Sequence, residues 1–263
     1  MNQSDKMISR RDGQVGYVIF NNPERHNAVS LEMWATTAEI LLDFAKDPEV
    51  RVVVLTGAGG KAFVSGADVS KFESERASLD ATKIYNATVE RANTGVYEFP
   101  KPTIAMIRGY CIGGGVGLAA CCDLRIASAN SRFAVPAAKL GLGYSFNGLK
   151  RLIDIVGPAF AKEIFFTARQ FDAEEARTMG FVNRVVSEAE LEAYVKNYAE
   201  TIAANAPLTV KAAKFIANEV MKDESKRDLA RCAELVEQCF ASKDYTEGRR
   251  AFMEKRKPAF TGS

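Results

Sequence analysis

The chain has 263 residues, enough for one large domain or one domain with an appendage. Nearly half are apolar, so a sizeable core is available, and the formal net charge of +2 gives no drive toward nucleic acid or an anionic membrane. No apolar run approaches the ~20 residues that span a bilayer, the polar start MNQSDKMISRRDG lacks the core of a secretory signal, and a single histidine, His26, argues against a His-ligated metal site. Five cysteines (Cys111, Cys121, Cys122, Cys232 and Cys239) form no CxxC pair and sit in apolar surroundings, which predicts reduced, buried thiols in a cytoplasm.

Gly16 to Asn21, GYVIFN, reads as a strand ended by Asn22-Pro23. The polar loop PERHNAVS leads to Ser30, an N-cap for a helix over 31–46 that places Trp34, Ala38, Leu41, Leu42 and Ala45 on one face. Asp47-Pro48 breaks it. Val50 to Leu55 is β-branched almost throughout, as a parallel strand covered on both faces would be. TGAGGKAF then turns into Val64-Ser65-Gly66-Ala67-Asp68, and 80–98 is helical but polar. Ile104 to Ile107 is a short buried strand, and Val116 to Cys122 a buried helix. Leu124–Ala127 and Ser131–Ala134 are further strands. A helix from Gly148 to Val156 is followed by a second that Pro158 opens and that reaches about Thr167. Asp172 with Glu175, and Ser187 with Glu190, are spaced as capping boxes. FVNRVV is a strand, and from Pro207 the pattern is helical to about Phe240. Strands alternating with helices predict an α/β fold, with a helical region after the last strand.

The informative stretch is IAMIRGYCIGGGVGLAACCD, residues 104–123. Glycines at a strand-to-helix turn let backbone N–H groups approach a ligand, and the helix start adds its unsatisfied donors and positive dipole end. Gly115, Gly117 and Ala120 fit a dinucleotide-binding GxGxxA pattern, but that pattern needs an acidic residue about 20 positions on. Asp123 comes too soon, and the next acidic residue is Asp154.

The longer run KPTIAMIRGYCIGGGVGLAACCDLRIAS resembles the crotonase (enoyl-CoA hydratase/isomerase) superfamily, whose members read KPxIAAVxGxxxGGGxxLxxxCDxxIA here. The likeness covers nearly the whole chain, taking in FNNPERHNAVS, KAFVSGADVSKF, FDAEEARTMGFVNRVVSEAEL and the ending EGRRAFMEKRKPAF. It implies a ββα spiral over 1–203 and a helical assembly region over 204–263. It also implies a homotrimer or hexamer and an acyl-CoA thioester as substrate. Coenzyme A enters as part of that substrate, with no permanently bound cofactor. The family stabilises a thioester enolate with two backbone N–H groups, which by position belong to Ala67 and Gly114. Preorganised donors of this kind contribute about 3–4 kcal/mol each. The CoA-binding positions carried over are Arg25, His26, Ala28, Ser65, Gly66, Ala67, Asp68 and Val69. The basic run Lys255-Arg256-Lys257 is a candidate for CoA phosphates. A Ser65/His26/Asp68 triad has no nucleophile-elbow motif behind it.

Two departures stand out. Hydratases of this family carry one glutamate two residues after the triple glycine and another in a QPE segment; this chain has Gly117 and Ala137 there. Neither can move a proton, so two-glutamate hydration is disfavoured. FAVPAAKLGLGYSFNGL resembles instead the corresponding run of methylmalonyl-CoA decarboxylase-type members, including Tyr144. Decarboxylation generates its carbanion without a base, so that chemistry, with Tyr144 orienting the carboxylate or protonating the enolate, is the favoured expectation. Ser145 and Asn147 are weaker polar candidates. The alternatives are a hydratase or isomerase using other acid/base groups, and a non-catalytic acyl-CoA-binding protein.

Overall fold

A computed structural model describes residues 5–75 and 77–263, apart from the side chains of Val69, Phe72 and Glu73. It opens with β1 (Met7–Asp12), β2 (Val15–Phe20) and α1 (Leu31–Lys46). Strand pairs followed by helices then repeat. The strands β3 (Val52–Gly57) and β4 (Ala62–Val64) lead to α2 (Phe72–Glu75) and α3 (Leu79–Tyr97). Next, β5 (Thr103–Ile107) and β6 (Tyr110–Ile112) lead to α4 (Gly114–Cys121). In turn β7 (Leu124–Ser128) and β8 (Arg132–Ala134) lead to α5 (Ala137–Leu140) and α6 (Phe146–Thr167). After β9 (Phe171–Asp172), α7 (Ala173–Thr178) and β10 (Arg184–Val186) come α8 (Leu191–Ala203), α9 (Pro207–Val220), α10 (Leu229–Ala241) and α11 (Lys243–Met253).

The first strand of each pair joins a sheet ordered β1-β2-β3-β5-β7-β10, and the second joins a sheet ordered β4-β6-β8-β9. All pairings are parallel except β1–β2 and β8–β9. Each turn of chain therefore lays one strand beside its predecessor in each sheet. This is the ββα spiral expected from the sequence.

The β-branched runs follow from two-sided burial. In β3, Val53 and Leu55 enter the main core, which also takes in the buried residues of α1 and α3, while Val52 and Val54 pack under Leu191, Val195, Ala199 and Ala203 of α8. The same alternation divides Ala105 and Ile107 from Ile104 and Met106 in β5. Ser30 caps α1, accepting from Met33 N–H at 3.4 Å, and the Asp172–Glu175 box closes reciprocally. Gly157, at φ 74°, interrupts α6 ahead of Pro158, where the sequence predicts two helices.

Several expectations change. The strand β1 has no sequence signal, because Met7 alone of MISRRD is buried and the backbone ladder to β2 does the work. Leu42, predicted to face inward, is 60% exposed, since Leu41 and Phe44 fill that face. Ser187 Oγ accepts from Glu190 N–H at 3.3 Å, one half of the second box, but its hydroxyl donates to Glu190 Oε2 at 2.5 Å in place of the reciprocal backbone bond, and α8 starts at Leu191 after this turn. The predicted helix over 207–240 breaks at 221–228, where Glu219 accepts from Asp228 N–H at 2.8 Å and Asp228 caps α10. Cys111, Cys121 and Cys122 are buried, but Cys232 and Cys239 are only half-buried.

Candidate active site

The turn after β4 is held by α1's approach loop. Val29 N–H donates to Gly66 O at 2.8 Å, and Val29 O accepts from Asp68 N–H at 3.0 Å. Val29 thus bonds to residues on both sides of Ala67, and the Ala67 N–H faces away from it, as a parallel bridge requires. The second turn joins β6 to α4. Gly113 is the cap and Gly114 the first helical residue, so the Gly114 N–H has no partner within the helix. The two turns touch. A Cβ built on Gly66, whose φ is +104°, would lie 3.2 Å from Ile112 O and 3.9 Å from Gly114 N. Gly115 must lack a Cβ for another reason: it would run into Val64 O, so this glycine sets how closely α4 docks on β4. Trp34, read from the sequence only as a core residue, walls the site: its Cζ2 lies 3.4 Å from a Cβ built on Gly114.

Tyr144 reaches this place. Its Oη lies 4.0 Å from a Cβ built on Gly113, and so does Gly66 Cα. Its ring packs edge-on against Phe165 with centroids 4.8 Å apart, leaving the residue 37% exposed. Gly117 lies on the same helix, and a Cβ there would meet nothing within 4 Å. Ala137 is buried at the start of α5. A carboxylate is therefore absent from both positions, and open space adjoins Gly117.

A family model described as enoyl-CoA hydratase/isomerase matches residues 10–263. The chain belongs to that family. It is 36% identical over 253 residues to a short-chain-enoyl-CoA hydratase of Clostridium acetobutylicum, covering 96% of each chain. It is 34% identical over 256 residues to a crotonyl-CoA hydratase of Syntrophomonas wolfei, covering 97% of this chain and 98% of the relative. Among solved structures, an enoyl-CoA hydratase/carnithine racemase from Magnetospirillum magneticum superposes with a TM-score of 0.92 at 37% identity, over 99% of this chain and 97% of that one.

In this enoyl-CoA hydratase/isomerase family member, the loop carried over for CoA forms one polar edge. Ser65 N–H donates to His26 O at 3.2 Å, and Ser65 Oγ to Arg25 O at 3.3 Å. Ala28 N–H donates to Arg25 O at 3.0 Å. The His26 ring packs edge-on against Tyr110, 5.7 Å between centroids. No described contact lines His26 up between Ser65 and Asp68, so no triad forms. Asp68 is buried, which pushes its carboxyl up, but hydrogen bonds from the Ser70 hydroxyl and N–H and the Arg25 guanidinium hold it below the usual range. Its role is to close the loop. Val69 opens a 3-10 turn to Lys71; its side chain lies outside the described residues. Arg256, in the basic run, is engaged by Glu247 and Glu254.

Sequence reasoning missed Asn27. Its side-chain amide donates to Ala58 O and Ala62 O, and its Oδ1 accepts from Asn22 N–H, pinning the loop to the end of β3. Asparagine adopts the φ of +56° found there more readily than most residues, which is the signal that could have singled it out. Also missed was a polar cluster between α3 and α6 made by Glu90, Thr94, Asn147 and Arg151. Ser145 caps α6 by accepting from Gly148 N–H at 3.2 Å. Burial pushes the Cys121 thiol up to about 12, so it is no nucleophile. Among the described residues no His, Cys, Asp and Glu group is arranged to hold a metal ion, and no helix is long and apolar enough to cross a membrane.

Proposed function

We propose that this protein acts on an acyl-CoA thioester through an enolate held by the Ala67 and Gly114 N–H groups, and that its reaction is decarboxylation of a malonyl-type thioester. The observation that carries the reading is the Tyr144 hydroxyl, 4.0 Å from the Cβ position of Gly113, with Gly117 four residues further along opening on empty space. When the carboxylate turns out of the thioester plane, the bond from the α-carbon to CO2 breaks. Its electron pair spreads onto the thioester oxygen, where the two backbone donors stabilise the charge. No base is consumed in that step. A phenol, with a reference pKa of about 10, is neutral near pH 7; it donates to the substrate carboxylate without repelling it and then supplies the proton to carbon.

Hydration is the second reading, favoured by the names of the Clostridium and Syntrophomonas relatives. It needs an acid/base group other than residues 117 and 137. Assembly into a trimer or hexamer through residues 204–263 belongs to the same proposal, supported by Leu229, Phe240, Phe252 and Met253, large apolar side chains exposed on α10 and α11. A cytoplasmic setting is supported by five free thiols.

Malonyl-, methylmalonyl-, crotonyl- and dienoyl-CoA incubated in parallel and read by mass spectrometry separate the readings. CO2 loss from a malonyl-type ester is expected, and Tyr144→Phe should lower it by roughly 10²-fold, the scale of one proton-transfer group. Hydration of crotonyl-CoA at a higher rate overturns decarboxylation as the reaction. Binding without turnover across the panel leaves an acyl-CoA-binding protein.

A further inference from the structure

Residues 138–147 are exposed at every position, yet Tyr144 Oη stays beside the Gly113 turn. Its ring rests on Phe165 of α6, and a polar cluster joins α6 to α3 just beyond it. Glu90 Oε1 accepts from Asn147 Nδ2 at 3.1 Å, from Arg151 Nη2 at 3.0 Å and from Thr94 Oγ1 at 3.1 Å. Arg151 also donates to Thr94 Oγ1 at 2.9 Å, stacks over the Tyr97 ring at 5.1 Å and lies beside the Cys121 thiol. Cys121 ends the helix that Gly114 begins, and its Sγ donates to Gly117 O at 3.2 Å. Asn147 lies three residues beyond Tyr144. The Glu90 carboxylate thus grips the start of α6 through Asn147 and Arg151, and the Arg151 side chain, largely shielded from water, lies near the Cys121 end of α4. The Arg151–Glu90 pair, with Arg151 shielded, holds its geometry better than an exposed pair does, and Asn147 joins it from the surface.

We propose that Glu90 is a positioning residue which, through Asn147 and Arg151, fixes the distance between the Tyr144 hydroxyl and the Gly114 N–H. The inference rests on the reading of Tyr144 as the group that serves the enolate. Glu90 touches no substrate and moves no proton; it decides whether the phenol is in range.

Asn147→Leu tests this at an exposed position, where folding is not at stake. On the thioester that Tyr144 serves, kcat should fall about tenfold, the worth of one hydrogen bond to a charged group, with KM within twofold. In a Tyr144→Phe background the same change should cost nothing more, because no phenol remains to misplace. A readout independent of turnover is hydrogen exchange of the Gly148 and Leu149 amides, both bonded to Ser145. These should exchange about tenfold faster in Asn147→Leu. The paired swap Glu90→Gln with Asn147→Asp reverses donor and acceptor and keeps one carboxylate near Arg151; it should restore both rate and protection. Unchanged exchange, or kinetic losses that multiply in the Tyr144→Phe background, overturns the proposal. If Tyr144→Phe alone changes no rate, the decarboxylase reading falls, and the exchange result still decides whether Glu90 anchors the segment.

Discussion

Helix α4 and the segment 138–147 meet at one spot and are fixed there by different forces. The helix is buried along most of its length and docks on β4 so closely that the Gly115 backbone meets Val64 with no room for a methyl group. The segment is exposed throughout and owes its position to side-chain contacts: Tyr144 on Phe165, Ser145 on Gly148, and Asn147 on Glu90. Packing fixes the helix to a fraction of an ångström, while hydrogen bonds at a rim tolerate exchange of the groups that make them. On the proposed reading, the donor half of the site is thus backbone set in a core, and the phenol half is adjustable surface.

The contrast can be broken first at Gly115. Gly115→Ala puts its methyl into Val64 O, so α4 and β4 must part, at an expected cost of about 3 kcal/mol. The melting midpoint should fall by roughly 6–12 °C, and an unshifted melt would mean that the docking is soft. Ala67→Pro removes one donor and leaves the core alone; kcat should drop about 10²- to 10³-fold with little change in the melt, and undiminished turnover removes Ala67 from the site. Asp68 sharpens the comparison through pH. Its carboxyl is held below its ordinary value by Ser70 and Arg25, so its contribution is present above the unfolded value and fades as pH falls through the folded one. Asp68→Asn should cost about 1 kcal/mol at pH 7, and the gap to the parent protein should narrow below about pH 4 in paired thermal melts. Gly117→Ala, two residues from Gly115, should do the opposite of Gly115→Ala. Its methyl meets nothing, and helix propensity should raise stability by up to about 1 kcal/mol; a fall would show that the space is not open.

Much of the fold could be read from residues whose reasons are local or two-sided. Val52–Leu55 and Ile104–Ile107 announce strands because both faces are covered, and Ser30 and Asp172 announce helix starts because their caps lie within three residues. The triple glycine marks the turn, but not which glycine is needed for what: Gly115 answers to Val64 and Gly114 faces Trp34, partners far off in sequence. Strand β1 escaped for another reason, since its partner β2 is one hairpin turn away but only Met7 of MISRRD is buried, whereas the Glu90–Asn147–Arg151 cluster escaped because Glu90 lies 57 and 61 positions from its two partners. At 187–190, local spacing gave one half of a box: Ser187 Oγ accepts from Glu190 N–H, but its own hydroxyl proton goes to the Glu190 carboxylate, so the reciprocal bond does not form.

The covering of β3, β5 and β7 by α8 has a consequence for the order in which the protein is made. A ribosome finishes the last core strand at Val186, yet Val52, Val54, Ile104 and Ile126 keep one face bare until Leu191, Val195, Ala199 and Ala203 have emerged. Chains halted near residue 188 should therefore bind a hydrophobic dye and precipitate, whereas chains extended past Ala203 should not. The nascent protein carries its stickiest surface for most of its synthesis and sheds it within four turns of one helix.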